Sequence, residues 1–200
     1  MITVYAGPVK AGKSKKLIEI YKQLENCGVM VFSSKMSLTH GEDVVSRYGT
    51  TLKAIPINSL WDIPHHIPAH KKVFYILIDE FQFLQMTPKE VQEFFIKYGF
   101  SMNFYIFGLD RDYKLDTFSL MDKALGMADS VEKLGGYCDL CSKIPSKYSL
   151  RLEDGKPANI NDKNAEVILL DGEHNDIEIS YKSICPECYE KIYFGKECNV

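Results

Sequence analysis

The chain has 200 residues, of which 46% are hydrophobic and 26% charged, with a formal net charge of −3. This length allows one substantial core and a small appendage, in a composition typical of soluble globular proteins. The slight acidity argues against a broad basic surface for nucleic acid, and no apolar run approaches the roughly 20 residues that span a membrane. Met1-Ile2-Thr3-Val4-Tyr5-Ala6 lacks the basic start of a signal peptide and reads as a strand. A cytoplasmic setting with reduced thiols is expected, so the six cysteines suggest metal ligands before disulfides. Neither a nucleic acid nor a membrane is an expected partner.

In chain order, Ile2–Ala6 is the first predicted strand. A helix follows over 13–26, with Leu17, Ile20, Tyr21 and Leu24 on one face and Gly28 as the stop signal. Apolar runs at 29–33, 73–79 and 104–109 read as further strands. All four are continuous instead of alternating, as in parallel strands covered on both faces. Thr87-Pro88-Lys89-Glu90 is a capping box with proline at the first helical position, and Val91, Phe94, Phe95 and Tyr98 form the stripe behind it. Asp116 is the expected cap of a third helix, with Phe118, Met121 and Leu125 inward. His65, His66 and His70 read as surface loop. Alternating strands and helices imply an α/β domain, a P-loop NTPase-like and mainly parallel sheet flanked by helices, over residues 1–134. Residues 135–200 differ in texture: cysteine pairs, turn residues and short β-like runs at 166–170 and 177–180. They read as a small zinc-binding lobe.

Gly7-Pro8-Val9-Lys10-Ala11-Gly12-Lys13-Ser14 follows a strand and opens a helix, the context a phosphate loop requires. Gly7 and Gly12 let the backbone aim N–H groups at phosphates, Lys13 reaches the β- and γ-phosphates, and the Ser14 hydroxyl meets Mg²⁺. The helix start adds partial positive charge. The plain alternative is a glycine-rich turn with a surface lysine. Asp79 and Glu80 end the third apolar run. An acid there holds Mg²⁺, the role assigned to Asp79. Glu80 follows at once, so its side chain points the other way if the strand register persists. A second carboxylate near the γ-phosphate is suited to act as general base on an acceptor hydroxyl. Without such a role the two acids are simply a solvated strand end.

Cys138-Asp139-Leu140-Cys141 and Cys185-Pro186-Glu187-Cys188 are two CxxC knuckles. Their spacing lets four thiolates close a tetrahedral structural Zn²⁺ site with no open position for water. A redox pair and a nucleic-acid-binding zinc ribbon are the alternatives. Cys27 reads as a helix-end residue and Cys198 as a tail thiol.

These motifs occur in an order that resembles the type II thymidine kinases over nearly the whole chain. The resemblance rests on Gly7 through Ser14, Asp79-Glu80-Phe81-Gln82-Phe83, Gly108-Leu109-Asp110-Arg111-Asp112-Tyr113 and Ala128-Asp129-Ser130-Val131-Glu132-Lys133-Leu134. The CxxC pairs and Tyr181-Lys182-Ser183-Ile184-Cys185 complete it. It implies an ATP-dependent kinase that makes thymidine monophosphate for DNA-precursor salvage. A homotetramer, structural zinc and inhibition by thymidine triphosphate are implied with it. Glu80 aligns with the base that takes the 5′-hydroxyl proton. Phe83, Leu109, Tyr113 and Phe118 align with the wall of the thymine pocket, and Tyr181 with a tyrosine of the loop closing over the nucleoside. Val9 sits where some members have Met near that pocket, and Tyr113 where many have Phe. Ser149 and Arg151 lie where the family has a Thr and an Arg near the substrate. Two features depart from the family. Residues 169–179 are longer than usual and hold one glycine where a pair is common. Arg47, in the lid region, replaces a frequent His. The competing class is a P-loop ATPase whose zinc ribbon acts on nucleic acid.

Overall fold

In the computed structural model, residues 1–37, 43–45, 51–70, 72–162, 172–174 and 176–195 are described. The expected β run at 166–170, Arg47 and Cys198 lie outside them. The chain divides into two units. The first comprises Met1–Ala6, Gly12–Asp110 and Phe118–Lys133; the second comprises Gly7–Ala11, Arg111–Thr117 and Leu134–Val200.

The first unit is built on a six-stranded sheet. Its strands are β1 (Ile2–Ala6), β2 (Val29–Ser34), β5 (Ile55–Ile57), β6 (Tyr75–Asp79), β7 (Asn103–Gly108) and β8 (Ser130–Lys133). They lie in the order β5-β2-β6-β7-β1-β8, and every neighbouring pair is parallel. β3 (Asp43–Val45) and β4 (Thr51–Lys53) form a separate antiparallel pair. The helices are α1 (Lys13–Leu24), the short α2 (Ile63–His66), α3 (Pro88–Tyr98) and α4 (Ser119–Met127).

The continuous apolar runs form the sheet's interior because both faces are covered: Val4, Ile76, Leu77, Ile78, Phe104 and Ile106 are fully buried. The capping box forms as its sequence dictates. Thr87 Oγ1 accepts the Glu90 N–H, and the Glu90 carboxylate accepts the Thr87 N–H. The box sets the stripe of α3 against the sheet. Phe94 meets Trp61 edge-on at 5.3 Å and Phe104 at 5.8 Å, while Phe95 meets Phe104 at 5.3 Å.

Two glycines solve different problems. Gly28 has φ +71, and a Cβ there would lie 2.3 Å from the Lys72 carbonyl oxygen. It therefore follows α1 both as a left-handed position and as a close approach. Asp116 does not cap α4. The Asp116 N–H instead donates to Asp112 Oδ1 at 3.0 Å, and the helix begins at Ser119 behind Phe118, with no side-chain cap. Met121 is buried as expected, and Leu120 and Ala124 join it. His65 and His66 are exposed, but on α2 and not in a loop.

The second unit is a four-stranded antiparallel sheet in the order β10-β9-β12-β11. Its strands are β9 (Tyr148–Glu153), β10 (Lys156–Pro157), β11 (Gly172–His174) and β12 (Ile177–Ile184), followed by α5 (Pro186–Phe194). Its core is small: Leu150, Leu152, Ile184 and Tyr189, with Cys138 and Cys185 among them.

Phe94→Ala empties the centre of the aromatic cluster. It is expected to lower the stability of the protein by about 3–5 kcal/mol in urea denaturation, and a loss below 1 kcal/mol would show that α3 is not anchored there.

Candidate active site

The phosphate loop takes its shape from two kinds of constraint. Gly12 has φ +87 with open space around its Cβ position, so left-handed backbone alone requires glycine there. Gly7 is needed for proximity instead: a Cβ would lie 2.3 Å from the Leu134 carbonyl oxygen. Lys10 also adopts a positive φ of 62. Within the loop the Ala11 N–H donates to the Pro8 carbonyl at 3.3 Å. The Gly12 carbonyl then accepts the Lys16 N–H at 2.9 Å as α1 begins.

Lys13 opens α1 and is only 6% exposed. Burial pulls its pKa down, and the carboxylates of Glu80, Asp79 and Asp110 oppose that. Asp79, at the carboxyl end of β6, is 3% exposed. Its Oδ2 accepts the Ser14 hydroxyl at 3.2 Å and its Oδ1 the Glu80 N–H at 3.0 Å. Burial, then the Glu80 charge, push Asp79 up to about 7 against the pull of Lys13, the Glu80 N–H and Ser14. A cation bound there would favour the ionised form.

Glu80 departs from the expected strand register. It turns to φ 50, ψ 44, so the chain leaves the strand in a left-handed conformation. The half-buried carboxylate accepts the Gln82 side-chain N–H at 2.6 Å. Gln82, quoted in the sequence only as part of a motif and given no role there, is the partner of this carboxylate. It is buried between Phe81 and Phe83, and its Oε1 accepts the Leu109 N–H at 3.0 Å, so one amide ties the end of β7 to Glu80. Its signal was a polar side chain two residues after the acids in an apolar stretch. Asp110 was likewise given no role. It is buried, pairs with Lys133 at 2.7 Å and adds to the field on Lys13.

Of the expected nucleoside residues, the first unit holds Phe83, Leu109 and Phe118. All are half-buried, and the Phe83 and Phe118 rings meet edge-on at 6.3 Å. The second unit holds Tyr113 and Tyr181. Tyr113 is buried beneath the Arg151 guanidinium, 5.2 Å from its ring centre, and its hydroxyl has no hydrogen-bond partner among the described residues. Tyr181 stands on β12 opposite Arg151.

Four sulfurs converge in the second unit. Cys138, Cys141, Cys185 and Cys188 place their Sγ atoms within 4.8 Å of one another, and Cys141 and Cys185 are 3.8 Å apart. A tetrahedron of Zn–S bonds of about 2.3 Å has sulfurs about 3.8 Å apart, so the four can hold a metal such as zinc. The second knuckle occupies the start of α5, where Pro186 fits the first turn and the helix end favours thiolate. Burial pushes the Cys138 thiol up, but the N–H groups of Cys141, Cys185 and Leu140 outweigh it and hold it at about 6. Burial and the neighbouring thiols raise Cys188 far above the ordinary range.

A parallel α/β sheet, a glycine loop opening a helix, a buried lysine and a serine–aspartate contact at the strand ends define a phosphate-loop nucleotide-binding protein. The family described as thymidine kinase matches residues 1–189. The "Thymidine kinase" of Mesoplasma florum is 30% identical over 195 residues, covering 94% of this chain and 91% of that one. That of Ureaplasma urealyticum serovar 10 is 31% identical over 171 residues, covering 83% and 75%. That of Ureaplasma parvum serovar 3 is 32% identical over 166 residues, covering 80% and 73%. The chain belongs to the thymidine kinase family. No helix among the described residues is long and apolar enough to cross a membrane.

Cys138→Ser is expected to abolish stoichiometric zinc in the purified protein, read by elemental analysis, and to lower its melting temperature. Full zinc content in that variant would remove Cys138 from the ligand set.

Proposed function

We propose that this protein is an ATP-dependent thymidine kinase, transferring the γ-phosphoryl group of Mg·ATP to the 5′-hydroxyl of thymidine. The observation that carries this reading is the placement of Glu80. The left-handed turn puts a second carboxylate beside the Ser14–Asp79 contact and within the field of Lys13. Family membership supplies the acceptor.

The chemistry follows from these groups. The 5′-oxygen attacks the γ-phosphorus, the bond to the β,γ-bridging oxygen breaks, and the hydroxyl proton passes to the Glu80 carboxylate. Lys13 offsets charge on the β- and γ-phosphates. Ser14 and Asp79 are the residues to hold Mg²⁺, which supplies further neutralisation of phosphate charge when bound. Gln82 fixes the Glu80 carboxylate through its 2.6 Å hydrogen bond. Phe83, Leu109 and Phe118 offer the apolar surface that a planar pyrimidine needs, and Tyr113 and Tyr181 are carried as nucleoside-binding residues by the family resemblance. The four cysteines serve as a structural zinc site. The resemblance also supports a cytoplasmic homotetramer inhibited by thymidine triphosphate.

Incubation with radiolabelled ATP and a panel of nucleosides is expected to label thymidine monophosphate. ATP hydrolysis stimulated by DNA, without labelled nucleotide, would overturn the assignment. Glu80→Gln is expected to lower kcat by roughly 10²–10⁴ while leaving ATP affinity nearly intact; near-normal turnover would exclude Glu80 as the base.

A further inference from the structure

Gly7–Ala11 packs within the second unit. One hydrogen bond and two close backbone approaches hold it there. The Val9 N–H donates to Ser149 Oγ at 3.1 Å, and Ser149 is 4% exposed. Gly7 lies so close to the Leu134 carbonyl that no side chain fits between them. A Cβ on Gly136 would meet the Lys10 carbonyl oxygen at 3.4 Å.

Ser149 is in turn wired to the first cysteine knuckle. It stands on β9 directly opposite Ser183 of β12. The Ser183 N–H donates to Asp139 Oδ2 at 2.8 Å, and the Ser183 carbonyl accepts the Asp139 N–H at 2.8 Å. Asp139 lies between Cys138 and Cys141. A second link runs through Ser146, whose N–H donates to the Gly136 carbonyl at 2.7 Å and whose Oγ accepts the Gly136 N–H at 3.1 Å.

We propose that Ser149 is a positioning residue for the phosphate loop, through which the cysteine-stapled sheet fixes the backbone that receives the triphosphate. This rests on the ATP-binding reading given above. The physical case is that the loop is not self-supporting. Lys10 holds a left-handed conformation that a side chain resists, and such positions persist only when their surroundings fix them. The bond from Ala11 to Pro8 is long at 3.3 Å. A phosphate loop works by presenting N–H groups already aimed, because ordering them on binding would cost affinity. The hydroxyl of Ser149 is a buried acceptor for one of these amides, and its loss leaves that donor unsatisfied.

The test compares Ser149→Ala, Ser149→Thr and Ser149→Val; the last two have the same shape and differ by the hydroxyl. Binding of a non-hydrolysable ATP analogue is measured by calorimetry beside KM for each substrate, zinc content and melting temperature. Loss of one buried hydrogen bond predicts roughly tenfold weaker analogue binding for the Ala and Val variants. Zinc should remain bound, and KM for ATP should rise in the Ala and Val variants. The Thr variant should bind the analogue nearly as wild type. Chelating zinc from the wild type should weaken analogue binding, and should do so less in Ser149→Val. Equal analogue affinity in the Thr and Val variants would overturn the proposal, as would an unchanged KM for ATP in the Val variant. A wild-type protein that binds no ATP analogue would instead overturn the functional reading on which it rests.

Discussion

Burying the Lys13 ammonium is the constraint on which the catalytic region depends. An ammonium at 6% exposure loses most of its hydration, and the fold compensates by setting Asp79, Glu80 and Asp110 in its field. That arrangement dictates where the sheet must end its strands. Asp79 closes β6 and Asp110 follows β7, so the acids gather at the carboxyl ends of the sheet, where α/β proteins place their ligands. The same burial leaves Asp79 crowded by a second carboxylate and raises it toward neutrality. Such a cluster is costly by itself, and the divalent cation and triphosphate proposed as ligands would satisfy it.

The second unit faces a different difficulty. Its core of Leu150, Leu152, Ile184 and Tyr189 is small, and two of its most buried side chains are cysteines. Sheets of this size gain independent stability from a staple, and four thiols at tetrahedral spacing supply the ligands for one. Asp139 lies inside the first knuckle and clamps the Ser183 backbone of β12 by two hydrogen bonds, one from its own N–H and one to its carboxylate. The first knuckle is therefore tied to a strand beyond its own turn.

Local signals were legible in the sequence because local physics produced them. The apolar runs of β1, β2, β6 and β7, the capping box at Thr87, the phosphate loop and the two CxxC knuckles each depend on neighbours within a few residues. Several strands carried no such signal, among them β9 and both edges of the parallel sheet. β5 is three residues long and contains Pro56, which suits an edge strand and breaks the usual pattern. β8, Ser-Val-Glu-Lys at the other edge, is exposed at all four positions and carries no apolar signature. The expected cap at Asp116 failed because α4 begins only at Ser119, with Phe118 in the cap position, while Asp116 belongs to a turn held by the Asp112 carboxylate.

The sequence by itself determined the chemistry on offer: a triphosphate loop, a pair of acids and four soft metal ligands, each fixed by residue type and short spacing. Tertiary structure alone decided how they are used. Long-range packing buried Lys13 among acids from β6 and the end of β7, turned Glu80 out of its strand, and gave it Gln82 as a partner. The pairing of β9 with β12 put Ser149 opposite Ser183 and the Val9 amide within reach of its hydroxyl, a contact across 140 residues of chain. No pattern of neighbours encodes such a distance, because only a packed core fixes which distant groups share the same few ångströms.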